Sequence, residues 1–131
     1  MPKNIIFCAD GTWNGPGEPD TDNKTTSPTN VFKLFLNLDG QDTAGSYLLE
    51  KEQERTLLAP DGALRQTAKY LHGVGDSDNF LVKLLGGTLG AGLITRIVRG
   101  YTFISRSYIP GDKVFITGFS RGAYTARALG G

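Results

Sequence analysis

The chain has one cysteine, one histidine and almost no net charge. Fourteen Lys and Arg against thirteen Asp and Glu in 131 residues leave +1. A lone Cys8 excludes an internal disulfide framework and any multi-cysteine metal site. It sits in the apolar run Ile5-Ile6-Phe7-Cys8-Ala9, where a small buried residue is expected rather than a reactive thiol. Charge this balanced gives no case for a nucleic-acid partner. The apolar run is too short for a signal-peptide core or a membrane span, so the chain is read as cytoplasmic in the producing cell, or as exported without a signal peptide. What is present is a hydrophobic share of 39%, enough for the packed core of one domain at most. Glycine is in excess: eighteen residues, about twice the average share of roughly 7%. The glycines cluster beside apolar runs, as they do where strand-to-helix turns surround a site.

Residues 4–9 are apolar at nearly every position and stop at Asp10-Gly11, the pattern of a central parallel strand covered on both faces. A long polar loop is expected over 10–29. Val31, Phe32, Leu34, Phe35 and Leu38 then fall at helical spacing and predict a helix over 30–39, with Thr29 or Asn30 as its cap. Ser46 to Arg55 reads as a short helix or a loop. Pro60-Asp61-Gly62 is a turn signal able to join two short strands. A second strand is expected over 66–72, and an apolar segment over Phe80 to Leu85. A glycine loop is expected from Gly86 to Gly92, then an amphipathic helix from Leu93 to Tyr108. Its apolar face is Ile94, Ile97, Val98, Tyr101, Ile104 and Tyr108. Arg96, Arg99 and Arg106 are assigned to a solvated face, with contact to anionic lipid as the alternative. A third strand over 113–117 and a helix from 121 complete an alternating order. That order predicts an α/β fold, a parallel sheet with flanking helices.

The chemistry is concentrated in Val114-Phe115-Ile116-Thr117-Gly118-Phe119-Ser120-Arg121-Gly122-Ala123. This is Gly-x-Ser-x-Gly between a strand and a helix. From the chain's composition the bare pattern is expected about 0.1 times by chance, and its placement sharpens it. A serine nucleophile needs a sharp, strained turn that lifts its hydroxyl clear of the sheet. Such a turn, Gly118-Phe119-Ser120-Arg121-Gly122, brings its flanking positions together, so only small residues fit there. Ser120 is the candidate nucleophile, and the backbone N–H of Arg121 is a candidate oxyanion donor at the helix N-terminus. A second donor is expected from the loop after the first strand, at Gly11 or Thr12. In the same loop Asp10 is read as orienting the chain by hydrogen bonds. Trp13 either packs on substrate or pins the loop.

Lys3-Asn4-Ile5-Ile6-Phe7-Cys8-Ala9-Asp10-Gly11-Thr12-Trp13-Asn14, Thr29-Asn30-Val31, Gly73-Val74-Gly75 and Gly118-Phe119-Ser120-Arg121-Gly122-Ala123 follow one another in that order. Over nearly its whole length the sequence resembles the α/β-hydrolase domain family typified by type VI secretion phospholipase effectors, which also has many uncharacterised bacterial and fungal members. The resemblance implies ester hydrolysis on a lipid or other ester substrate, with Ser120 at the nucleophile's position. It implies no cofactor and no metal, transient contact with a membrane, and a secretion-system partner. The departure is in length. Triad members in this fold run Ser, then Asp or Glu, then His, and neither an acid nor a histidine follows Ser120. The chain is therefore expected to be the N-terminal part of such a domain, inactive alone because a serine without its base is a weak nucleophile. His72 is assigned to a structural or site-lining role rather than to the base. The rival from another class is a non-catalytic binding or assembly module derived from a hydrolase. A phosphate cradle at Gly86–Gly92 and a calcium loop at Asp20-Thr21-Asp22-Asn23 both lack required residues.

Overall fold

The computed structural model describes residues 1–11, 28–43, 52–73 and 89–131. In chain order these form β1 (Asn4–Ala9), α1 (Asn30–Leu36), β2 (Gln41–Asp42), β3 (Glu52–Leu58) and β4 (Leu64–Leu71). They continue with α2 (Leu89–Ser107), β5 (Lys113–Gly118) and α3 (Arg121–Gly130). The readings at 12–27, 74–85 and 86–88 fall outside the described residues, and from Leu89 onward the expected glycine loop is helix.

The described strands make one sheet in the order β2-β3-β4-β1-β5. The expected parallel sheet is corrected to a mixed one. β1 runs parallel to both β4 and β5, while β3 is antiparallel to β4 and to β2. The reason is local. Ala59 donates to Ala63 O (2.8 Å), Gly62 donates to Ala59 O (2.9 Å), and Asp61 Oδ1 accepts from Ala63 N. A tight turn of this kind returns the chain beside itself, so consecutive strands become antiparallel. The stretch expected as helix or loop at 46–55 is strand from Glu52 onward.

β1 is central and buried on both faces. Ile6 and Cys8 pack with Ala68 and Tyr70 under Val31, Phe32 and Phe35 of α1. Ile5, Phe7 and Ala9 pack with Leu71 under Phe103 of α2, with Leu129 of α3 beside them. Helices therefore cover both faces of β1, while β5 stays partly open, with Val114 and Phe115 exposed. Fully burying a side chain such as Phe35 stabilises by roughly 1.5–3 kcal/mol. α1 is capped at both ends. Thr29 Oγ1 accepts from Phe32 N (3.1 Å), and Arg55 of β3 donates to the carbonyls of Phe35, Leu36 and Leu38.

Helix α2 reverses its expected polarity. Ile94, Val98 and Tyr101 are 61%, 55% and 67% exposed, and Tyr108, just beyond the helix, is exposed too; Arg96 and Phe103 are buried. Only Ile97 and Ile104 of the expected apolar face turn partly inward. The surface beneath the helix dictates this. β3 and β4 present Glu52, Glu54 and Lys69 to it, and Lys69 Nζ pairs with Glu52 Oε2 (2.8 Å) and Glu54 Oε1 (3.0 Å). Arg99 pairs with Glu52 and Arg106 with Glu54. Arg96 is thus buried rather than solvated, while Arg99 and Arg106 keep the expected solvated face, their side chains 53% and 56% exposed as they reach Glu52 and Glu54. Burial works against the charge on Glu52, but hydrogen bonds and charge from Lys69 and Arg99 outweigh it and hold its carboxyl below the usual range.

Candidate active site

Three strand ends converge at one edge of the sheet. Ala9 lies opposite Leu71 on one side and Gly118 on the other, so the chain leaves β1, β4 and β5 at one level. In open sheets with parallel strands, sites form at the carboxyl ends of those strands.

β5 passes into α3 through Phe119 and Ser120. Ser120 has φ 54° and ψ −123°, the only positive φ outside glycine among the described residues. This region is strained for a residue with a side chain, at a cost of order 1–3 kcal/mol. Ser120 is exposed, and its hydroxyl does not cap the helix it precedes. One bond to β1 and two within the turn hold it. Phe119 N donates to Ala9 O (3.1 Å), Gly122 N to Phe119 O (2.8 Å) and Ala123 N to Ser120 O (2.9 Å). Gly118 and Gly122 are in contact: a Cβ on Gly118 would stand 2.2 Å from Gly122 O, and one on Gly122 would stand 2.1 Å from Ala9 O. The sequence argument for small residues at these two positions rests on this crowding. Arg121 opens α3 beside Ser120, so its backbone N–H lies in the first turn, at the positive end of the helix. Burial pulls its guanidinium pKa down.

The loop after β1 closes on this turn. A Cβ on Gly11 would lie 2.9 Å from Phe119 Cδ1 and 3.0 Å from Ser120 Cβ. The Gly11 N–H donates to Asp10 Oδ1 (2.9 Å), so its use as an oxyanion donor requires that bond to be shared or released. Thr12 and Trp13 lie outside the described residues. Asp10 is fully buried. Its Oδ2 accepts from Thr29 Oγ1 (2.8 Å) and from Tyr70 OH (2.6 Å). All three partners donate, which suits a carboxylate. Burial, then the hydrogen bond to Asp10 and its charge, push the Tyr70 phenol pKa up. Burial pushes the Cys8 thiol up to about 12, and Asp10 adds to it. His72 follows β4 at the same edge and is half-buried. Its carbonyl, like that of Asp10, accepts from the Arg96 guanidinium. Arg96 is the residue at this edge that sequence reasoning missed, because an arginine off the expected apolar face of α2 reads as surface. Among the described residues no group of three His, Cys, Asp or Glu side chains is placed to hold a metal ion, and no helix is long and apolar enough to cross a membrane.

The assembly is therefore an exposed, strained serine at a helix N-terminus, packed by a glycine from a neighbouring loop. The family model described as "T6SS, Phospholipase effector Tle1-like, catalytic domain" matches residues 3–131. The chain belongs to this family. It is also 29% identical over 132 residues to an uncharacterized protein of Saccharomyces cerevisiae, a match covering 98% of this chain and 17% of the yeast protein. The chain thus spans less than a fifth of that relative's length. No solved structure gives a significant match.

Proposed function

We propose that this chain carries the nucleophile half of a serine ester hydrolase acting on lipids. In this reading Ser120 gives its proton to a base and attacks an ester carbonyl; the ester C–O bond breaks, the alcohol leaves with the proton, and water then hydrolyses the acyl-enzyme. The backbone N–H groups of Arg121 and of Gly11 or Thr12 hold the oxyanion that develops. The observation that carries the proposal is the backbone of Ser120. A non-glycine residue at φ 54°, ψ −123° persists only where its surroundings enforce it, and here Gly118, Gly122 and Gly11 leave the room it needs. An adventitious serine at a helix start would instead cap the helix with its hydroxyl. Membership of a phospholipase effector family supports a lipid substrate. The exposed rings of Phe119 and Tyr124 offer apolar surface beside Ser120 for an acyl chain and for transient contact with a membrane.

The base and its orienting acid stay unassigned on this proposal: in this fold they follow the nucleophile, and residues 121–131 hold neither a histidine nor an acid. A fluorophosphonate probe applied to the protein as its own cells make it tests the assignment. Labelling is expected on Ser120 and is expected to vanish in Ser120→Ala. Labelling that survives this substitution removes Ser120 from the chemistry. A protein that never labels favours the non-catalytic binding module.

A further inference from the structure

Arg96 carries a charge into the core and spends it on main-chain oxygens. It is 6% exposed. One terminal nitrogen donates to His72 O and the other to Asp10 O (2.8 Å), while Nε meets no partner among the described residues. Burying a guanidinium is costly, and an apolar side chain of similar volume would fill the space without that cost. What an apolar side chain lacks is the planar fork of donors that reaches two carbonyls at once.

The two carbonyls lie just past the ladder that joins β1 to β4. That ladder runs out at Ala9 opposite Leu71, with Asp10 N making the last bond, to Leu71 O (2.9 Å). Arg96 ties the two chains together where the sheet no longer does. The peptide plane joining Asp10 to Gly11 is then held from both sides. Its oxygen accepts from Arg96, and its N–H donates to Asp10 Oδ1. Because the peptide is planar, fixing both ends fixes the direction in which Gly11 leaves it. Gly11 is the residue packed against Ser120.

We infer that Arg96 is a positioning residue for acyl transfer at Ser120. Its guanidinium fixes the backbone after β1 and β4 and so holds the Gly11 side of the site in register with the nucleophile. The inference rests on the hydrolase reading. It requires no contact between Arg96 and substrate. With the Asp10 carbonyl held by Arg96, the loop needs little reorganisation as the oxyanion forms, the Gly11 N–H having only to share or leave its bond to Asp10 Oδ1.

The test uses the protein as its organism makes it, with p-nitrophenyl butyrate as substrate and active sites counted by fluorophosphonate labelling taken to completion. Ser120→Ala comes first: hydrolysis that survives it overturns the hydrolase reading and the role of Arg96 with it. Where Ser120→Ala is inactive, Arg96→Lys and Arg96→Met are compared per labelled site. Misplacement of a catalytic geometry by about 1 Å costs on the order of 100-fold in rate. Both variants are expected to lose about that much kcat, with KM within about threefold of wild type and with slower labelling. Arg99→Lys alters the same helix away from the site and is expected to keep kcat whatever its thermal midpoint does. Arg96→Met leaves no unpaired buried charge, so it decides the matter if Arg96→Lys does not fold. A kcat per labelled site within twofold of wild type in the folded Arg96 variants overturns the inference. So does a loss confined to KM.

Discussion

Replacing Gly122 with alanine adds one methyl group at the most crowded point of the site. An added Cβ would stand 2.1 Å from Ala9 O, 2.6 Å from Ala9 C and 2.6 Å from Asp10 O. All three are main-chain atoms. Ala9 cannot withdraw cheaply, because β1 is paired with β4 on one side and β5 on the other. Overpacking of this kind costs typically 1–3 kcal/mol, and backbone neighbours put this case near the top of the range, at about 3 kcal/mol. Alanine returns about 1 kcal/mol through its better helix propensity. The net loss is about 2 kcal/mol, and in a domain of this size each kcal/mol moves the thermal midpoint by roughly 3–5 °C. The midpoint should therefore fall by about 6–10 °C by circular dichroism. Gly92 supplies the control. It lies within α2, and nothing among the described residues comes within 4 Å of its added Cβ. Gly92→Ala should raise the midpoint by a few degrees, for about 0.5–1 kcal/mol. Equal midpoints for wild type and Gly122→Ala would refute the crowding on which the whole geometry of the turn depends.

Tyr70→Phe removes the 2.6 Å hydrogen bond to the buried Asp10 carboxyl, and should destabilise by about 1.5–3 kcal/mol in urea unfolding; a loss below about 0.5 would mean the bond carries nothing. Ser120→Gly should lose fluorophosphonate labelling yet gain stability, because release of about 1–3 kcal/mol of backbone strain exceeds the roughly 0.5–1 kcal/mol entropic cost of glycine; a less stable glycine variant would contradict the strain. Burial works against the charge on Asp112, but hydrogen bonds from Lys3 and from Ile109 N, with the Lys3 charge, outweigh it and hold its carboxyl at about 2. With the folded value below the ordinary one near 3.9, its contribution is present above about pH 4 and is lost as the pH falls toward 2. Asp112→Asn should therefore flatten the thermal midpoint in that window only. The Cys8 thiol, buried and pushed up to about 12, should resist iodoacetamide at pH 8 in the native protein and react on unfolding.

The parallel part of the fold was legible because each of its strands is bounded by a turn signal. Asn4–Ala9 stops at Asp10-Gly11, and Lys113–Gly118 runs straight into the serine turn. β3 was not legible, because Glu52, Glu54 and Arg55 look like an exposed helix or loop. Those charges instead pair across to Lys69, Arg99, Arg106 and Asp42, partners that lie up to about fifty residues away. The same long-range pairing inverted α2. Periodicity identifies an apolar face, but the element beneath decides which face is buried, and here that element is a charged strand pair. Asp10 was read as orienting its loop by hydrogen bonds, and its carboxylate accepts from Gly11 N, Thr29 Oγ1 and Tyr70 OH. Arg96 was missed, because its partners are main-chain carbonyls, which carry no side-chain signature at all.

The site's position is set by β1 more than by the motif that announces it. Ser120 stands on the β5–α3 turn, yet Ala9 accepts from Phe119 N, leaves no room for a side chain on Gly122, and leads into the loop that meets Ser120. Asp10, one residue on, gathers donors from three separate stretches of chain: Gly11 beside it, Thr29 at the cap of α1, and Tyr70 on β4. Thr29 Oγ1 both accepts from Phe32 N and donates to Asp10, so the hydroxyl that starts α1 also fixes the loop that meets Ser120. Damage at Asp10 or Thr29 should therefore reach Ser120 through the β1 loop without touching the Gly-x-Ser-x-Gly turn, and changes at these two residues should be strongly non-additive because they share one carboxylate.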